Sequence, residues 1–137
     1  MIRVLIVDDH DGVRTATRLI LGFETDLQVV GDAPNGLAGL RLARELRPDI
    51  MVLDLSMPGM DGFDVMRQLA AMKTDIRVVI LSGDTAMRSA ALACGAAHFV
   101  AKGCAGAELA GAVRQAYESR KRPVSTLAIT APLPHAV

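Results

Sequence analysis

Aromatic residues make up only 3% of this 137-residue chain, and tryptophan is absent. A hydrophobic core therefore has to be assembled from Val, Ile, Leu, Met and Ala. An excess of charge of either sign is also missing. Fifteen Lys and Arg face fifteen Asp and Glu, for a formal net charge of zero, so nothing marks the whole chain as a polyanion binder. There are two cysteines, Cys94 and Cys104. They have neither metal-site spacing nor the density of a disulfide scaffold, so they are read as small apolar fillers in a reducing compartment. No apolar run approaches the length needed to span a membrane, and the opening MIRVLIVDD is too short and too soon acidic for a signal peptide. A soluble cytoplasmic protein without membrane attachment is expected. With 51% hydrophobic and 22% charged residues, the composition is globular, and the length suits a single domain.

Short apolar runs recur along the chain: Val4 to Val7, Leu27 to Val30, Ile50 to Leu53, Val78 to Leu81 and Phe99 to Ala101. Apolar at consecutive positions, they predict strands buried on both faces of a parallel sheet. Segments of helical spacing separate them. Gly12 to Leu21 carries Val13, Thr17, Ile20 and Leu21 on one side, and Asn35 to Leu46 carries Leu37, Leu40 and Leu46, with Pro48 ending it. Gly62 to Met72 places Phe63, Met66 and Leu69 together. Thr85 to Cys94 is Ala-rich and stops at Gly95, a candidate C′ glycine, and a last helix runs from about Ala107 to Arg120. Strands alternating with helices predict an α/β fold: a doubly wound, five-stranded parallel sheet of flavodoxin-like order 2-1-3-4-5. Residues 1–121 form the domain. The stretch 122–137, with three prolines and no sustained period, reads as a linker or flexible tail.

In such sheets ligands bind beyond the carboxyl ends of the strands. Those ends carry Asp8 and Asp9 after the first strand, Asp54 after the third with Ser56 close behind, Ser82 after the fourth and Lys102 after the fifth. Each has an ordinary structural explanation when taken alone: a helix cap, a turn hydroxyl, a solvated ammonium. The topology, however, gathers three carboxylates into one place. Mutual repulsion there is relieved by a divalent cation, and hard oxygen donors favour Mg²⁺. A positioned carboxylate can attack phosphorus to form an acyl phosphate, with Lys102 and Ser82 available to its oxygens.

The segments VLIVDDH, DIMVLDLSMPGMDGFDVMRQL, VVILSGD and AAHFVAKG, in that order and spacing, resemble the receiver domains of bacterial two-component response regulators across about residues 1 to 120. The DDH start, and Lys102 without a following proline, look most like receivers of helix-turn-helix regulators of the nitrate-response and LuxR type. The resemblance implies a phosphoacceptor at Asp54. It implies Mg²⁺ held by Asp9, by Asp8 largely through water, by Asp54 and by the backbone carbonyl of Ser56. It also implies a switch hydroxyl at Ser82, a conserved cation at Lys102 and an aromatic switch at Phe99. Ser56 and Asp84 flank the site. The implied donor is a sensor histidine kinase or phosphotransfer protein. The implied output is a changed face of the fourth helix, fifth strand and fifth helix, which serves a partner or a homodimer. Transcription control would act through a DNA-binding domain for which the tail has no room. The expected module is a phosphoacceptor rather than an enzyme. A haloacid-dehalogenase-type phosphatase also uses an aspartyl phosphate but looks for a second Asp two residues on, where Ser56 stands. A degenerate binding module would lack chemical groups that are all present here.

Overall fold

A computed structural model of the chain describes residues 1–121, so the tail expectation for 122–137 lies outside the described residues. Five strands alternate with five helices: β1 (Ile2–Val7), α1 (Asp11–Gly22), β2 (Leu27–Ala33), α2 (Gly36–Leu46), β3 (Ile50–Leu53), α3 (Gly62–Met72), β4 (Arg77–Ser82), α4 (Arg88–Ala93), β5 (His98–Ala101) and α5 (Gly106–Lys121). The sheet order is β2-β1-β3-β4-β5 and every pairing is parallel, as the alternation of apolar runs and amphipathic segments implies.

The continuous apolar runs serve two cores at once, because successive side chains of a strand point to opposite faces. Leu5, Val7, Met51, Leu53 and Ile80 face one core, which is closed by α2, α3 and α4 through residues such as Leu40, Val65, Leu69 and Ala91. Val4, Ile6, Ile50, Val52 and Val79 face the other, closed by α1 and α5 through Leu21, Leu109, Val113 and Ala116.

Four expectations change. The strand β2 runs on through Gly31, Asp32 and Ala33, beyond its apolar run. Its pairing with β1 slips between Val4 and Leu5, so Val4 faces Val29 while Leu5 faces Gly31. Leu37, placed on the buried stripe of α2 by spacing, is 71% exposed. The buried face of α2 is Gly36, Gly39, Leu40 and Ala43. Gly39 lets the helix approach β1 so closely that an added Cβ would stand 2.8 Å from a Val7 methyl. The fourth helical segment is not uniform: Thr85–Met87 is a 3-10 turn, and only Arg88–Ala93 is α-helical. Its end is as expected. Gly95 has φ +106°, its N–H bonds to Leu92 O, and Ala96 N–H bonds to Ala91 O, the paired closure of a glycine-ended helix. Of the two cysteines, half-buried Cys104 does pack against the α5-side core, but Cys94 is exposed and fills nothing. No described helix is long and apolar enough to cross a membrane.

Candidate functional site

The site begins with backbone. Beyond the strand ends, Asp8 N–H donates to Ala33 O (3.1 Å), Asp54 N–H to Val7 O (2.9 Å) and Lys102 N–H to Ser82 O (2.8 Å). These bonds carry the parallel ladder one step further, so Asp8, Asp54 and Lys102 leave the sheet at one edge and at one level. The turn after Asp54 is held by its approach to α3. Gly62 N–H donates to Leu55 O at 3.0 Å. A Cβ on Gly62 would sit 2.6 Å from Asp54 O and 2.8 Å from Leu55 Cα, so only a hydrogen fits there. Asp61 and Asp64 form a capping box that fixes the start of α3 beside this turn.

Asp8 and Asp54 are each 2% exposed and Ser82 1%. Lys102 Nζ lies 3.2 Å from Asp8 Oδ2 and 3.4 Å from Asp54 Oδ1. Asp54 Oδ1 also accepts from Ser56 N–H at 3.3 Å, whereas its buried Oδ2 has no hydrogen-bond partner. Burial pushes the Asp54 carboxyl above the ordinary carboxylate value of 3.8. The neighbouring Asp8 charge adds to this, and the Lys102 ammonium and Ser56 N–H oppose it. One ammonium thus stands between two buried carboxylates.

Sequence reasoning missed His10 and Arg14. His10 occupies the N-cap of α1 but makes no side-chain cap bond. Its imidazole turns to the site instead, with Nδ1 3.2 Å from Asp8 Oδ1 and 3.1 Å from Asp9 Oδ1. Nδ1 and Asp9 Oδ1 are close without hydrogen-bonding geometry, and Asp9 Oδ1 is buried without a partner. Arg14 donates to the Asp8 carbonyl at 2.7 Å, pairs with Asp11 and reaches Asp32 Oδ1 at 3.7 Å, which ties the loop after β1 to the end of β2. His10 was visible in the sequence only as the third residue of the DDH start, and Arg14 only as a polar-face residue of the first helix.

Asp8, Asp9, His10 and Asp54 each offer a ligand atom, and these atoms all lie within 4.8 Å of one another. With two buried carboxylate oxygens unpaired, the donor set fits a small divalent cation. Ser82 stands at the same edge, but its Oγ accepts from Asp84 N–H at 3.1 Å. Phe99 is not in the site. It is buried in the core on the α4 side, with the Arg88 guanidinium 5.0 Å from its ring centroid. A cleft lined by Asp9, Ser56, Met57, Pro58, Phe63 and Asp84, among others, opens onto the acidic cluster. Another cleft, lined by Arg44, Arg47, Lys73 and Arg120 among others, lies at the opposite end of the sheet and holds none of these groups.

Known proteins match this chain in sequence and in fold. The chain is 39% identical over 123 residues to the response regulator GacA of Pseudomonas aeruginosa, which covers 88% of this chain and 58% of that protein. It is 35% identical over 130 residues to the transcriptional regulatory protein LiaR of Bacillus subtilis, covering 93% of this chain and 62% of that one. It therefore spans about three fifths of the length of these relatives. Among solved structures, the receiver domain of the putative response regulator NarL from Mycobacterium tuberculosis superposes with a TM-score of 0.80 at 34% identity, covering 85% of this chain and 96% of that one. A LuxR-family two-component response regulator from Aurantimonas gives a TM-score of 0.80 at 28% identity, covering 98% of each chain. These relatives agree with the subfamily expected from the DDH start. The family model described as the response regulator receiver domain matches residues 4–114, nearly the whole of the fold, and the chain belongs to that family.

Proposed function

We propose that Asp54 takes a phosphoryl group and that the rest of the site serves that transfer. The observation that carries this reading is Asp54 itself: a carboxylate 2% exposed, with Oδ1 held by Ser56 N–H and Lys102, and Oδ2 left without a hydrogen-bond partner. An oxygen of Asp54 attacks phosphorus, the bond from phosphorus to the donor nitrogen of a kinase histidine breaks, and the departing imidazole recovers a proton from solvent. Lys102, already between Asp8 and Asp54, pairs with a phosphoryl oxygen. Ser82 keeps its hydroxyl proton while accepting from Asp84 N–H, so the proton is free to be donated to another phosphoryl oxygen. Asp8, Asp9, Asp54 and the backbone carbonyl of Ser56 would hold Mg²⁺, which supplies charge neutralisation for the incoming group.

Phosphorylation adds a charge of about −1.5 to −2. Drawing Ser82 toward the phosphoryl group releases Asp84 N–H at the head of the 3-10 turn, and Phe99 repacks beneath Arg88. The face formed by α4, β5 and α5 changes, and it engages a partner or a second copy. On α4, Ala91 is buried against the sheet while Ala90 is exposed, so only part of its small-residue surface is available. By analogy with the regulators it resembles, the module receives its phosphoryl group from a sensor histidine kinase and acts on transcription through a DNA-binding domain outside this chain. Incubation with a small phosphoramidate or acyl phosphate donor and Mg²⁺, read by mass spectrometry, gives one phosphoryl adduct that Asp54→Asn abolishes. A gain that survives Asp54→Asn removes the assignment.

A further inference from the structure

The orientation of His10 is unused by the transfer just described. Its imidazole is 62% exposed, caps nothing, and lies over the acidic cluster. Nδ1 stands 3.1 Å from Asp9 Oδ1 and 3.2 Å from Asp8 Oδ1, and His10 N–H donates to the same Asp8 oxygen at 2.9 Å, which fixes the loop in this shape. Neighbouring ligands on a six-coordinate cation with bonds of ~2.1 Å are about 3.0 Å apart. The imidazole nitrogen therefore stands from each of two carboxylate oxygens at the spacing of donors that share one ion; Nδ1 and Asp8 Oδ1 are also hydrogen-bonded, while Asp9 Oδ1 has no partner. Independently, Asp54 supplies a 2%-exposed carboxylate to the group, with one oxygen lacking any partner.

We propose that His10 is a nitrogen ligand in this cation site, so that the site takes a borderline transition cation such as Ni²⁺ through a donor that Mg²⁺ leaves unused. The inference rests on reading the strand-end cluster as a cation site. Mg²⁺ selects oxygen and keeps waters, whereas imidazole suits the later first-row divalent ions, whose affinities for a mixed nitrogen–oxygen site rise toward Cu²⁺. An exposed ring that can move by a few tenths of an ångström costs little to recruit. The chain's other histidines, His98 and His135, are remote in sequence from the acidic pair, which allows the site to be tested by substitution.

The experiment is calorimetric titration of the full chain with Mg²⁺ and, separately, with Ni²⁺. It uses the unaltered chain, His10→Ala and Asp9→Asn, with a thermal melt of each to establish folding. His10→Ala is expected to weaken Ni²⁺ binding by roughly 10- to 100-fold while holding Mg²⁺ within about twofold, and Asp9→Asn to weaken both. Ni²⁺ binding unchanged in His10→Ala overturns the proposal and leaves the cation site standing. An equal loss of both ions in that variant also overturns it, since His10 would then act only on the loop. Ni²⁺ binding indifferent to Asp9→Asn places the ion elsewhere and overturns it as well. Absence of any Mg²⁺ binding sensitive to Asp9→Asn removes the underlying cation site and the proposal with it.

Discussion

Removing the charge of Asp54 should make the protein more stable when no divalent cation is present. At an effective dielectric constant of ~20, the Lys102 ammonium 3.4 Å from Asp54 Oδ1 attracts it by about 5 kcal/mol. Asp8, with a carboxylate oxygen no more than 4.8 Å away, repels it by about 3.5 kcal/mol or more. The two nearly cancel. The balance falls to the loss of hydration of a carboxylate with one unpaired oxygen, a cost of several kcal/mol. Asp54→Asn keeps the shape and leaves Lys102 paired with Asp8, and should stabilise by about 1–3 kcal/mol. For a domain of this size, each kcal/mol corresponds to roughly 3–6 °C in melting temperature.

The pH dependence follows from the same balance. The folded-state pKa of Asp54 lies above 3.8, so the native protein holds this proton more tightly than the unfolded chain does. Stability contributed by that proton is lost as pH rises through the raised value. The advantage of Asp54→Asn is therefore full above the raised value and shrinks as the pH falls toward the ordinary 3.8. Mg²⁺ should act the other way, since a ligand at 100 times its dissociation constant stabilises by about 2.7 kcal/mol and the variant has lost one donor. Melts in EDTA and in saturating Mg²⁺ read both effects. A variant that melts below the unaltered protein in EDTA, or a gap indifferent to Mg²⁺, refutes the reasoning.

Gly62→Ala forces a methyl against the backbone of Asp54 and Leu55, neither of which can turn away. It should cost about 1–3 kcal/mol by urea denaturation and weaken Mg²⁺ binding through displacement of the Asp54 turn. Arg88→Ala removes a guanidinium from the face of Phe99. The arginine is exposed, so equilibrium unfolding should show a loss of no more than about 0.5–1 kcal/mol, with the ring resonances of Phe99 shifted by NMR. Lys102→Met takes a competing positive charge from between Asp8 and Asp54 and should tighten Mg²⁺ binding in calorimetry while slowing phosphoryl transfer from a small donor.

The parallel sheet was legible in the chain because doubly covered strands have to be apolar at consecutive positions, as in Ile50–Leu53, every residue of which is buried. The far half of β2 was not, because Gly31, Asp32 and Ala33 owe their strand geometry to pairing with β1 rather than to any preference of their own. Leu37 misled for a related reason. Hydrophobic spacing assumes that the largest side chains face inward, but α2 turns Gly36, Gly39, Leu40 and Ala43 inward, with the glycines in close contact, and Leu37 lies off that face. In the site, Asp8, Asp54 and Lys102 were readable as strand-end residues, and strand ends converge in this topology. His10 and Arg14 were not, since their part depends on how side chains turn at the start of α1, which no spacing encodes.

The division of the fourth helical segment has an energetic consequence. Its α-helical part is six residues long and buries a single side chain, Ala91, and the 3-10 turn before it buries none. A helix that short has no appreciable stability of its own. Inverting a two-state population from 1:99 to 99:1 takes about 5.5 kcal/mol of differential interaction, so what a local charge can achieve depends on how much it must break. Here it must break little: the seat of Ala91, the half-buried Met87, the Arg88 contact with Phe99 and a turn capped from Asp84, whose own N–H is tethered to Ser82. Amides of residues 85 to 93 should accordingly exchange with solvent far faster than those of β1 or β3. A framework of tightly buried parallel strands thus carries a low-barrier segment beside the residues where a change in charge is felt first.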